Sequence, residues 1–454
     1  MVVFIPSIKD IRAVFSRLHT RLGDFWWYSL MLFCACRAAD VLNAFVGLWL
    51  VPKYVDPSEL GAVMPLTQFA NFLAIPVAAF ANTFRNELTR LSINKEFGKL
   101  KTLMRGVFAA TAVFLFLAIV VARFVLPAFL ERIRIVEGSL GLVIIAASFV
   151  SAVSPIYSNA LQALKKFKAQ SLLSIIGAPV RLIAMLIAMP FRAITGYFVG
   201  QAATPAFSIA ASVVALRKEL AVKAEPYWSK DITRQFAKLF ILFLCWGLSG
   251  GLCLLVESTV LRQRLPDIDS AGYYMATRFS EIANFLAATL TFTIFPFAAE
   301  IAAKDGDTRP LVIRTTMAVF VFSALTAIPF LFWGKGILDL LPHGDCYAEY
   351  WWAIPWAIGI GTLGSFNSLY TTAEMSANRF QFLKWMIPIE VIYPVLLLLV
   401  TGHGYFIDML PAECSNFLTT HNINKLETML CWMTGIAILK NSACIISMLR
   451  HGQH

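Results

Sequence analysis

Charge is what this chain has least of. Only 14% of its 454 residues are Asp, Glu, Lys or Arg, 58% are hydrophobic and mean hydropathy is +0.70. Soluble domains carry about 25% charged residues, so a soluble globular protein is excluded. No P-loop occurs, which excludes direct use of ATP. The six histidines (His19, His343, His403, His421, His451 and His454) are isolated, without metal geometry. Nor do the eight cysteines show metal spacing. Cys34 and Cys36 are two apart on a helix and point in different directions; Cys346 and Cys414 fall in loops where an oxidising compartment would permit a disulfide. Gly359-Ile-Gly-Thr-Leu-Gly364 fits a dinucleotide-binding pattern, but it lies in an apolar run with no strand before it. It reads as close helix packing. The longest loop, His403 to Glu427, is short for a catalytic domain, which weakens a polymerase or glycosyltransferase reading.

What is present is a series of long apolar runs. Twelve membrane spans are expected near 25–51, 60–84, 103–127, 138–162, 169–190, 195–216, 236–261, 271–302, 311–334, 351–376, 385–402 and 428–449. No cleavable signal is apparent. Residues 1–23 carry Lys9, Arg12, Arg17 and Arg21, with Ile8, Ile11, Phe15, Leu18 and Leu22 at helical spacing. That segment reads as a cytoplasmic amphipathic helix on the membrane, or as a basic tail that sets topology. With the N-terminus inside, the cytoplasmic segments and the inner ends of the spans beside them hold 25 Lys and Arg and the outer loops hold 8. The net charge of +11 is therefore a positive-inside signature that puts both termini in the cytoplasm, not a nucleic-acid footprint.

The expected fold class is an all-α polytopic membrane protein. Residues 24–216 form an N-lobe of six spans, 217–235 a basic cytoplasmic linker, and 236–454 a C-lobe of six spans. The halves repeat weakly. Gly61, Phe84 and Leu100 match Gly272, Phe295 and Leu311 at an offset of 211, and Tyr157-x-x-Ala160 matches Tyr370-x-x-Ala373 at 213. Both copies start inside, so they are parallel repeats, which in transporters place the substrate site between the halves. Prolines inside spans, among them Pro76, Pro155, Pro179, Pro205, Pro329 and Pro388, suit helices that bend or pack with fixed kinks.

Charges within spans are few and patterned. Arg37, Asp40 and Asn43 share one face of the first span, continued by Ala44 and Gly47. An ionised group facing lipid at mid-bilayer costs roughly 2.5–3.5 kcal/mol or more, so this stripe faces protein or a wet cavity. The eighth span repeats the pattern as Arg278-x-x-Glu281-x-x-Asn284. The two spans run antiparallel, and counting from their outer ends puts each arginine about one turn from the opposing acid. The two stripes are expected to face each other across the cavity, or each to form a self-neutralised packing pair.

The chain resembles the polysaccharide-biosynthesis flippases (Wzx-like) of the multidrug/oligosaccharidyl-lipid/polysaccharide (MOP) exporter superfamily. The resemblance rests on Leu50-Val-Pro-Lys-Tyr-Val-Asp-Pro-Ser-Glu-Leu-Gly61, the basic loop Arg85 to Arg105, and Asn159-Ala-Leu-Gln-Ala-Leu-Lys-Lys-Phe167 with Ala178-Pro-Val-Arg181. Leu265-Pro-Asp-Ile-Asp-Ser-Ala-Gly-Tyr273 leading to Phe295-Pro296 completes it. The resemblance implies a MATE-like pair of lobes around a central cavity and flipping of an undecaprenyl-diphosphate-linked oligosaccharide across a bacterial cytoplasmic membrane. It implies no cofactor, no nucleic acid, and work beside polysaccharide polymerase and assembly proteins. On that reading Arg37, Arg278, Arg181 and Arg85 are candidates for the pyrophosphate, since its oxygens suit a guanidinium fork. Asp40, Glu281 and Glu257 are candidates for coupling or gating, and Asn43 and Asn284 for polar cavity lining. The acids of the second half, including Glu374, Glu390 and Glu300, depart from a purely cationic cavity. They keep open a proton- or sodium-coupled multidrug exporter of the same superfamily; a membrane enzyme of polysaccharide assembly is a third reading.

Overall fold

The structure, a computed structural model, describes residues 39–135, 140–164, 166–304, 306–377, 379–400 and 426–450. The segment 1–23, Arg37, Cys34, Cys36, Cys414 and most of the loop from His403 lie outside the described residues, as does the side chain of Arg85. The described residues contain helices and turns and no strand.

Among the described residues each expected span coincides with a helix, the first only from residue 39 onward. α1 covers 39–54 and includes a π-helical turn at Val46–Leu50; then come α2 (Val63–Ile93), α3 (Phe97–Arg132), α4 (Leu140–Ala163), α5 (Phe167–Ala188) and α6 (Ala193–Leu220). The second half holds α7 (Lys230–Arg264), α8 (Asp267–Ala303), α9 (Arg309–Asp339), α10 (Ala353–Ser376), α11 (Leu383–Val400) and α12 (Leu426–Arg450). Among the described residues seven helices are long and apolar enough to cross a membrane, and α8, bent by 48° between Phe285 and Ala287, makes an eighth. Side chains cap two of the helical starts. Ser229 accepts from the Ile232 amide at the start of α7. Asp56 accepts from the Ser58 amide at 2.9 Å and its hydroxyl at 2.7 Å, which starts the short turn Pro57–Leu60 and holds the Asp56 carboxyl below its usual range.

Packing follows the repeat. In the first half α2 packs on α4, α4 on α6 and α6 on α5; in the second α8 packs on α10, α10 on α12 and α12 on α11. One end of the bundle, here the linker end, carries the 221–229 connection; the far end carries the turns at 55–62, 133–135 and 265–266. At the far end both halves share a single apolar core, in which Leu60 and Ile133 join Leu265 and Tyr274. Towards the linker end the apolar clusters divide. One holds Leu88, Leu103 and Ile156 of the first half, and another holds Leu290, Val319 and Leu369 of the second.

A seam between α2 and α7 also joins the halves. Gly247 and Gly251 of α7 lie four apart on one face, and a Cβ on Gly247 would stand 2.7 Å from Ile75. Small residues at this spacing let membrane helices approach closely. Further along, Phe80 stacks near Phe240 at 4.3 Å and Phe84 near Phe236 at 4.8 Å between ring centroids.

Candidate functional site

Two polar clusters stand on opposite sides of α8. The first lies between the halves. Arg181, two residues after Pro179 on α5, donates from Nη1 to Asn43 Oδ1 on α1 at 2.9 Å. Arg278 on α8 donates from Nη1 to Glu281 Oε1 at 2.7 Å, one turn on, and its guanidinium lies over the Tyr274 ring at 4.8 Å. Arg181 meets α1 at Asn43 and Arg278 meets it at Gly47, one turn on, so the two halves bring a cation each to neighbouring turns of one helix. The Nε of each arginine is buried with no hydrogen-bond partner among the described residues. A buried unsatisfied donor on a charged group is expensive. Glu281 is 53% exposed although it lies well inside α8. A carboxylate there faces a wet space, because facing lipid would cost several kcal/mol, roughly 2.5 or more.

The π-turn of α1 shapes this site. It widens the helix where Gly47 meets α8: the Tyr274 hydroxyl approaches the Gly47 carbonyl at 3.4 Å, and a Cβ on Gly47 would lie 3.0 Å from Arg278 Cδ. Such turns occur often at functional sites. The contact also fixes the register. Arg278 stands beside Gly47, seven residues from Asp40 and hence about 10 Å along the helix. This differs from the expected spacing of about one turn. The extra residue accommodated by the π-turn, and the close approach that Gly47 allows, set the level of α8 against α1. The pairing seen for Arg278 is within its own helix. Asp40 is half-buried on the Asn43 side of α1, one turn away.

The second cluster is enclosed by α7, α8, α11 and α12. Glu390 accepts from Ser249 Oγ at 2.7 Å and pairs with Lys440 Nζ at 3.2 Å. Lys440 also reaches Cys253 Sγ at 3.8 Å, and Glu257 accepts from the Tyr393 hydroxyl at 3.1 Å. Glu257 and Glu390 are both buried. Tyr273 on α8 faces Glu257 and Met433, whereas its neighbour Tyr274 faces the arginines. Glu257 is thus not in the two-arginine cluster. Asn284 is elsewhere again: its side-chain oxygen accepts from Ser365 of α10 at 2.9 Å, a contact within the second half. Glu300 pairs with Lys304 at 2.6 Å near the linker end. Among the described residues no group of three or more His, Cys, Asp or Glu side chains could hold a metal.

Sequence reasoning named Arg181, Arg278, Asn43 and Glu281, and the structure brings these four together. It missed Tyr274, Lys440 and the role of Glu390. Lys440 and Glu390 carried one signal, a single basic and a single acidic residue in two successive spans.

The fold class follows: among the described residues, twelve long helices in two similarly packed halves, with charged groups where they meet, make an all-α polytopic fold. In particular, the fold is that of the MATE-like transporters of the MOP superfamily. The Vibrio cholerae MATE transporter VcmN in its bent form superposes with a TM-score of 0.60 at 14% identity, over 96% of this chain and 99% of that one. A MOP superfamily transporter from Pyrococcus furiosus, described by the reverse polarity of its binding pocket, gives 0.62 at 10% identity over 94% and 95%. The lipid II flippase MurJ in an inward closed conformation gives 0.54 at 13% identity over 93% and 87%. At these identities the likeness is one of fold. No family model matches the chain, and no curated protein matches it.

Proposed function

We propose that the chain is an alternating-access flippase that moves an undecaprenyl-diphosphate-linked oligosaccharide from the inner to the outer leaflet of a bacterial cytoplasmic membrane. The observation that carries this reading is the approach of Arg181 and Arg278, one from each half, to neighbouring turns of α1, each with a buried Nε unpartnered among the described residues. Two guanidiniums offer planar donor pairs that match the oxygens of a diphosphate. One anion held by both halves would also respond to their relative movement. In this reading Arg278 exchanges Glu281 for the substrate, and the exposed Glu281 faces the cavity through which the glycan passes. Arg37 and Arg85 remain candidates for binding the headgroup.

The positive-inside balance supports a cytoplasmic linker, with the far end outward and both termini inside on this reading. Outward movement of each negative charge is favoured by roughly 2.3 kcal/mol per 100 mV of inside-negative potential. The diphosphate therefore supplies its own response to the membrane potential. Glu257 and Asp40 remain the candidates for a coupling ion. The multidrug-exporter reading draws support from the acids of the second half, but Lys440 already occupies the approach to Glu390.

The test is deletion of the gene followed by analysis of undecaprenyl-linked glycans. Accumulation of the lipid-linked repeat unit on the inner leaflet, with loss of surface polysaccharide, is expected. Unchanged intermediates together with intact surface polysaccharide would sink the reading.

A further inference from the structure

The far end holds a polar network that neither cluster uses. Arg262, near the end of α7, is only 2% exposed, yet its guanidinium donates to three segments. Nη2 reaches the Ser58 carbonyl at 2.9 Å and Nε the Ile133 carbonyl at 3.3 Å, both in the first half; Nη1 reaches Asp267 Oδ1 at 2.9 Å in the second. Arg134 crosses in the opposite direction. Its Nη1 donates to the same Asp267 oxygen at 2.8 Å and its Nη2 to the Gln263 carbonyl at 3.2 Å. Four of these bonds join the first half to the second.

Their setting distinguishes them from ordinary surface pairs, which contribute about 0–1 kcal/mol. Arg134 has a left-handed backbone, φ +62°, a conformation that costs energy in a non-glycine residue. That turn directs the loop so that its side chain meets α8. Asp267 opens α8, where a negative charge also suits the helix N-terminus. Directly below, the backbones of the two halves come together: a Cβ on Gly61 would collide with Ser270 Oγ. Towards the other end of α8, among the described residues, Ala287, Leu290 and Ile294 pack in an apolar cluster drawn from the second half. So α8 is bound to the first half at its far end and to its own half at the linker end.

We propose that Arg262, Asp267 and Arg134 form a latch that holds the far end closed and must release for that end to open. Asp267 and Arg134 are 37% and 52% exposed, so water can take over their hydrogen bonds when the halves part. Arg262 would leave two backbone carbonyls and enter the opened mouth.

The test uses the full chain in lipid nanodiscs, where both ends meet the reagent and the result does not depend on which end faces outward or on the substrate. Ser270→Cys places a thiol at a buried far-end position, and its reaction with a polar maleimide is measured against the chain lacking that substitution. Adding Asp267→Asn is expected to raise the labelling rate at this site by about tenfold, and adding Arg134→Gln by a smaller factor. Should Asp267→Asn fail to fold, Arg134→Gln, at a half-exposed residue, decides alone. Labelling that stays at the Ser270→Cys rate in the folded variants, whether or not melting temperature falls, would overturn the latch and leave the flippase reading untouched. The same labelling in intact cells assigns the sidedness separately.

Discussion

In the first half the contact of α1 with α5 is made by Asn43 and Arg181; in the second, the repeat-related contact of α7 with α11 is made by Ser249 and Glu390. The backbone arrangement is copied and the sign of the charge is not. The two charges also differ in what they lack. Glu390 receives a hydroxyl on one oxygen and an ammonium on the other, so its hydrogen-bonding capacity is met from within its own half. Arg181 has an amide oxygen on one nitrogen and, among the described residues, nothing on its buried Nε, and across the boundary Arg278 has the same shortage. A satisfied buried network rigidifies a fold, whereas an unsatisfied buried donor is costly. The second cluster is thus complete within its own half, while the first keeps unmet donors where the halves meet.

The strongest way to break that contrast is Lys440→Met. It leaves Glu390 buried beside Glu257 with no cation, a change expected to cost about 3–5 kcal/mol, read as a large drop in melting temperature of the purified protein. Adding Glu390→Gln should restore most of it, as removing both members of a pair does. A single variant that melts like the parent would remove the bracing role. Next come Arg181→Gln and Arg278→Gln. Each loses charge-assisted hydrogen bonds to a diphosphate worth about 1.5–3 kcal/mol, so affinity for the lipid should fall about 10- to 100-fold while melting barely moves. A smaller effect is expected of Gly47→Ala. Its new methyl presses on the flexible Arg278 side chain and should weaken lipid binding by about threefold to tenfold through overpacking, measured by the same titration. Smallest is Tyr393→Phe, which removes one hydrogen bond from Glu257 at a cost of about 1 kcal/mol, seen in melting and absent from lipid affinity.

Much of this architecture could be read in the sequence. Apolar length predicted twelve helices, and the offset of 211 between Gly61 and Gly272 marked two positions where backbone and side chains approach closely, Gly61 at Ser270 and Gly272 at the Tyr350 ring. In-span arginines announced the site because an unneeded charge in a membrane helix is costly. What could not be read was register. Nothing in Val46–Leu50 signals a π-turn, so the level of Arg278 against α1 was set one turn too near Asp40. Lys440 and Glu390 are 50 residues apart in the chain, and only the packing of α12 beside α11 makes them a pair. Arg262 looked like a loop charge, since burial of its guanidinium depends on carbonyls from two distant turns.

The most direct measurement of the central claim is the titration of undecaprenyl diphosphate against undecaprenol on the protein in nanodiscs, for the parent, Arg181→Gln and Arg278→Gln. The account predicts that the parent prefers the diphosphate by about tenfold or more and that either substitution abolishes the preference while undecaprenol binding stays constant. Equal binding of the two lipids by the parent, or an unchanged preference in both variants, would contradict it.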